Sequence, residues 1–179
     1  MTPLDPLVRL SALVWVLPIV FLIHDVEEIL VMPRWIRINQ ARLAGRNWSY
    51  RLLMRTACVS RPKFVVAVAF IFALVVTVTL MSISSLHQGG HLDMFTVAVT
   101  MLLINAFTHI SYSLIVRGYT PGVATAVFVL LPYCSYTLHL LAVSGQGSLA
   151  AGGHVIGLAA IALCVVVVAA HFFARIIVR

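Results

Sequence analysis

Acidic residues are almost absent from this chain. Its 179 residues include five Asp and Glu against twelve Lys and Arg. Charged residues make up 9% of the sequence, where a soluble domain carries about a quarter. That scarcity excludes an ordinary water-facing surface. Cysteine is scarce too. Cys58, Cys134 and Cys164 are odd in number and scattered, which excludes a disulfide framework and a CxxC metal site. They read as buried apolar thiols. No internal repeat, low-complexity tract or second, soluble domain is visible, so residues 1–179 read as one integral membrane domain.

What fills the chain instead is apolar, at 62% of residues. A spanning helix needs about 20 mostly apolar residues. Five runs meet that length: Leu10 to Met32, Phe64 to Leu86, Met94 to Val116, Gly122 to Val143 and Leu149 to Ala174. The segments HQGGH, RGYTPG and SGQGS separate the last four as loops. The expected fold is an all-α, polytopic membrane bundle of five helices. The first run continues past its charges and lacks a small-residue cleavage site, so it reads as a retained helix rather than a signal peptide.

The basic residues orient the bundle. The connection Pro33 to Lys63 holds seven Arg and one Lys and no acid, which places it in the cytoplasm by the positive-inside rule. Alternation puts the N-terminus outside and the C-terminus inside, in a bacterial cytoplasmic membrane. Trp35, Ile36, Leu43, Trp48, Leu52 and Leu53 are mixed with these arginines. That mixture predicts a basic helix lying on the inner leaflet against anionic headgroups. Topology and membrane attraction account for the net charge of +7, and no nucleic-acid partner is expected.

Against this background FLIHDVEEIL, Phe21 to Leu30, stands out. An acid at the centre of a spanning helix costs about 2.5–3.5 kcal/mol on insertion scales. Three acids in four residues must be neutralised, paired or bound to a cation, and such groups usually face the bundle interior. On a helix, Glu28 lies about 40° to one side of His24 and Glu27 about 60° to the other. Asp25 lies further round, beside Glu28. The third run carries Asn105 and His109 four residues apart, followed by Tyr112 and Ser113. His24 and His109 sit about 13 Å and 12 Å from the inner ends of their helices, and both helices run inward. The two stripes can therefore meet at one level.

The other polar residues have plainer readings. His171 reads as a snorkelling interfacial residue, and His87 and His91 as solvated loop. Tyr112, Tyr133 and Tyr136 read as packing or aromatic belt, and Gly153 and Gly157 as a close helix contact. His139 and His154 lie toward the outer side.

These motifs resemble the HXXEE family of small integral membrane proteins. The family motif is His24-Asp25-Val26-Glu27-Glu28 here, and a second, Asn-Ala-x-x-His, is Asn105-Ala106-Phe107-Thr108-His109. MPRW after the first motif and YTPG before the fourth helix are similar too, and the likeness covers Val20 to about Pro132. The resemblance implies a shared site and names no reaction.

Imidazole and carboxylate together suit a divalent metal, Zn first, with Fe or Mn next. His24, His109 and one of Glu27 or Glu28 give the three protein ligands of a catalytic zinc site. The other Glu is then a general base or the partner of a histidine, and Asn105 orients a substrate oxygen. The expected function is metal-dependent hydrolysis of a lipid-linked or apolar molecule near the cytoplasmic leaflet. A proton-coupled carrier or relay built on the same cluster is the alternative, and a non-catalytic scaffold or sensor the second.

Overall fold

A computed structural model of the chain describes residues 6–44, 60–147 and 153–178. Its elements are helices, with no strand among the described residues. They are α1 (Pro6–Ala44), α2 (Arg61–His87), α3 (Asp93–Val116), α4 (Val123–Ser144) and α5 (His154–Ile177). All five are long and apolar enough to cross a membrane. The predicted ends agree within three residues, except at both ends of α1 and the start of α5.

The first run was expected to end at Met32, yet α1 continues through Pro33 to Ala44. Proline removes one helical hydrogen bond and crowds the preceding turn. A tertiary contact holds the helix together beyond it. Trp35 is buried against Val116, and its Nε1–H donates to the Tyr119 carbonyl at 2.7 Å. Trp35 thus packs against the protein, where a surface helix was expected to turn it toward lipid headgroups. The rest of the predicted surface helix, residues 45–59, lies outside the described residues.

The end of the bundle that carries Arg34, Arg37, Arg61, Lys63, Arg117 and Arg175 is called the basic end below. At the opposite end the core is filled. Leu10, Val14 and Leu17 lie on one face of α1 by their four- and three-residue spacing. They join Phe95 and Val99 of α3 and Leu130, Cys134 and Leu141 of α4 in one fully buried cluster. The loops there are joined by the Leu92 amide, which donates to the Gln146 carbonyl at 2.7 Å. Tyr133 is buried as well and donates to the Leu13 carbonyl, pinning α4 to α1. Cys164, expected inside, is exposed on α5.

The predicted Gly153–Gly157 contact does not form, because both glycines face open space. Alanines make the close approach instead: Ala67 of α2 packs against Ala170 and Ala174 of α5. In α4, residues Ala126–Leu130 form a π-helical turn just before Pro132. The wider turn adapts the helix to a residue that cannot donate a backbone hydrogen bond.

Candidate functional site

The site lies toward the basic end, where α1, α3 and the start of α4 converge. Helical spacing on α1 sends His24, Glu27 and Glu28 to one side, and on α3 it does the same for Asn105 and His109. The rings of His24 and His109 meet edge to face with centroids 4.7 Å apart. Glu28 Oε1 lies 3.2 Å from His109 Nε2. One ligand atom from each of His24, Glu28 and His109 falls within 4.8 Å of the others.

Glu27 points elsewhere. Its carboxylate accepts the Gly122 and Thr125 amides at 3.2 and 2.9 Å, the Thr125 hydroxyl at 2.6 Å, and the Tyr119 hydroxyl. It thus occupies the N-terminus of α4, where amide hydrogens and the helix dipole favour a negative charge. Partial burial and the bond to Glu27 push the Tyr119 phenol upward, so this side chain stays a donor.

The hydrogen bonds orient both imidazoles through their Nδ1 atoms. His109 Nδ1 lies 3.0 Å from the Pro121 carbonyl. A carbonyl only accepts, so Nδ1 carries a hydrogen, and Nε2 is turned toward Glu28. The Thr125 hydroxyl gives its hydrogen to Glu27, so its oxygen accepts from His24 Nδ1 at 2.9 Å. The lone pair of His24 Nε2 then faces the Asn105 amide nitrogen at 3.1 Å. The Nε2 side of each imidazole and the Glu28 carboxylate converge, and each imidazole is held by the bond of its Nδ1. Acceptors packed this closely repel unless a proton or a cation sits among them. Metal-binding histidines show this arrangement, with the second nitrogen committed to a backbone or side-chain acceptor. Atoms bound tetrahedrally at 2.0–2.1 Å lie about 3.3 Å apart, and the His109–Glu28 pair already has that spacing. The donor set fits a divalent ion.

Gly122 keeps this geometry open. Its φ is +83°, and a Cβ there would lie 2.7 Å from His109 Nδ1 and 3.0 Å from Glu28 Oε1. Neither a side chain nor a right-handed backbone fits.

The three ligand candidates open onto a cavity of about 660 Å³ between α1, α2, α3 and α5, within the range of small-molecule sites. Asp25, Asn105, Tyr112 and His171 also line it. Asp25 is buried beside Glu28. His171, read as a snorkelling residue, lines the cavity wall, and its Nδ1 donates to the Val167 carbonyl of its own helix. His87, His91, His139 and His154 are exposed and away from the site.

Sequence reasoning missed Tyr119, Thr120, Pro121, Gly122 and Thr125. The YTPG loop was visible as a turn, and its Pro-Gly pair signalled a special backbone. Nothing in the spacing told that it folds back onto Glu27.

No curated protein and no solved structure shows significant similarity to the chain. A family described as "protein of unknown function with HXXEE motif" matches residues 15–137. The match takes in the α1 stripe, the α3 stripe and the YTPG loop. With most of its length covered, including every residue of the site, the chain belongs to the HXXEE family.

Proposed function

We propose that the chain is a divalent-metal-dependent membrane enzyme, most simply a hydrolase of a lipid-linked or apolar molecule. The observation that carries this reading is the convergence of His24, Glu28 and His109 within 4.8 Å at the wall of a largely apolar cavity. In this reading these three residues hold the ion, Zn first and Fe or Mn next. A bound ion supplies a Lewis acid and lowers the pKa of water. Glu27 acts as a positioning residue, through Thr125 to His24 and through Gly122 to the loop beside His109. Asp25 accepts no hydrogen bond among the described residues and faces the cavity, so it is the carboxylate available to take a proton. Asn105 can turn its amide to a substrate oxygen. The positive-inside rule places the basic end in the cytoplasm, so substrate enters from the inner leaflet.

One observation favours a second reading, a proton-coupled carrier or relay. His24, Thr125, Glu27 and Tyr119 form a continuous hydrogen-bonded chain from the buried site to a half-exposed phenol. Such chains also conduct protons. Metal content decides between the two. Purified protein in metal-replete buffer should hold about one ion per chain, in the range of one catalytic site. His24→Ala and Glu28→Gln should lose it, whereas Glu27→Gln should bind it more weakly. A metal-free wild type, with all three variants melting alike, would overturn the enzyme reading and favour the relay.

A further inference from the structure

The cavity has a direction, and that direction names a ligand. Phe21 of α1 stacks on Phe72 of α2, with centroids 6.3 Å apart. This contact sets the register of two helices that run opposite ways. From it, His24 and Glu28 lie about 4.5 and 10.5 Å nearer the basic end, at 1.5 Å per residue. Along α2 the cavity reaches from Arg61 to Val78, about 16 Å toward the basic end and 9 Å the other way. The cavity thus follows α2 for roughly 25 Å, and the metal-ligand candidates lie partway along it.

The two arms differ in chemistry. Above the site, Leu74, Val75, Val78, Ala98, Leu102 and Val166 line a wholly hydrocarbon arm, about 13 Å long from His24 to Val78. Below it, the wall gains Arg61 and Thr120. Arg34, Arg37 and Lys63 belong to the same end. Thr120 supplies a second, independent mark. Its side chain is 4% exposed, and its hydroxyl has no hydrogen-bond partner among the described residues. A buried hydroxyl left unpaired is costly; Thr79 and Thr137 share this state, and of the three only Thr120 lines the cavity. Of the two carboxylates in the wall, Asp25 lies about 10 Å and Glu28 about 6 Å along the bundle from Arg61, so the arginine is the nearest wall charge to a head at that end.

We propose that the cavity binds a single-chain amphiphile, with its hydrocarbon tail along α2 toward Val78 and an anionic head at Arg61 and Thr120. Resting on the enzyme reading above, this orientation runs the chain of the amphiphile past His24, Glu28 and His109 on its way to the head. The volume suits one slender molecule drawn out along a helix, not a two-chain phospholipid. A fatty carboxylate and an alkyl or prenyl phosphate share the required chemistry.

The test uses the full chain in nanodiscs of zwitterionic lipid and a palmitate analogue with a mid-chain diazirine. Photolabelling should fall on the cavity faces of α2 and α3, around Val75, Val78, Ala98 and Leu102. Val75→Trp and Ala98→Leu should each block it. Arg61→Glu should weaken labelling about tenfold, or roughly 1.4 kcal/mol, and leave a quaternary ammonium probe of the same chain unaffected. Unlabelled palmitate or hexadecyl phosphate should compete, and the stronger of them identifies the head. Labels confined to the lipid-facing surface, indifferent to both filling variants, would overturn the proposal. So would equal labelling by the anionic and cationic probes, or competition by neither anion. Metal content measured on the same samples keeps the two readings apart. Filling variants that lose label but keep metal support both. Cavity labelling of metal-free protein supports the amphiphile and removes the enzyme reading.

Discussion

The two halves of α1 perform different tasks. From Leu10 to Leu17 the inward positions are aliphatic and fully buried against Phe95, Val99 and Leu141. From His24 to Glu28 the inward positions are polar, and the space beside them is left open as a cavity. One helix therefore anchors the bundle at one end and builds a site at the other. Packed interiors gain many small dispersion contacts, and an unfilled cavity forgoes them. The closed end supplies the rigidity that lets the open end keep acceptors and a void together. Damage to the two halves should then separate into loss of stability and loss of binding.

The largest effect is expected in the closed half. Phe95 is fully buried, and Phe95→Ala should cost about 3–5 kcal/mol of stability. Metal and ligand binding should survive below the lowered melting temperature, as thermal unfolding and metal titration on one sample will show. Loss of binding in still-folded protein would contradict the division.

Gly122→Ala should reverse the pattern. The new Cβ meets His109 and Glu28 and adds the cost of a left-handed backbone, about 1–2 kcal/mol. Metal binding should collapse while the bundle stays inserted and helical. Unchanged metal affinity would show that the loop does not set the site.

Glu27→Gln should come next, with metal affinity reduced 10- to 100-fold, the usual effect of losing a partner behind a ligand. The amide group cannot accept all four donors that now reach the carboxylate. Glu28→Gln should instead abolish binding. Equal effects of the two substitutions would remove the distinction drawn between them.

Trp35→Phe should have the smallest effect. It removes one hydrogen bond to the Tyr119 carbonyl, worth about 1 kcal/mol. Because Tyr119 also holds Glu27, a slight weakening of metal affinity should accompany the lowered melting point. A stability loss with no change in affinity would uncouple the α1 extension from the site.

Much of this arrangement was legible in the sequence. The five helices followed from run length alone, since a bilayer demands about 20 apolar residues whatever the packing. The meeting of His24 with His109 followed from equal depth on two helices running the same way. The choice between Glu27 and Glu28 did not. They flank His24 at similar angles, and only the positions of α3 and the YTPG loop decide which faces His109. The continuation of α1 past Pro33 was hidden for a similar reason, since local preference ends the helix there and the Trp35–Tyr119 contact overrides it. Thr125 gave no signal, being one of many hydroxyls in apolar helices. Its importance comes from the loop that sets it between His24 and Glu27.

The most direct test of the central claim is X-ray absorption spectroscopy on the zinc-loaded chain. The account predicts a shell of nitrogen and oxygen at about 2.0–2.1 Å containing two imidazoles. One imidazole should disappear in His109→Ala, and Val75→Trp should leave the shell unchanged. A shell without imidazole, or one that His109→Ala does not alter, would contradict it.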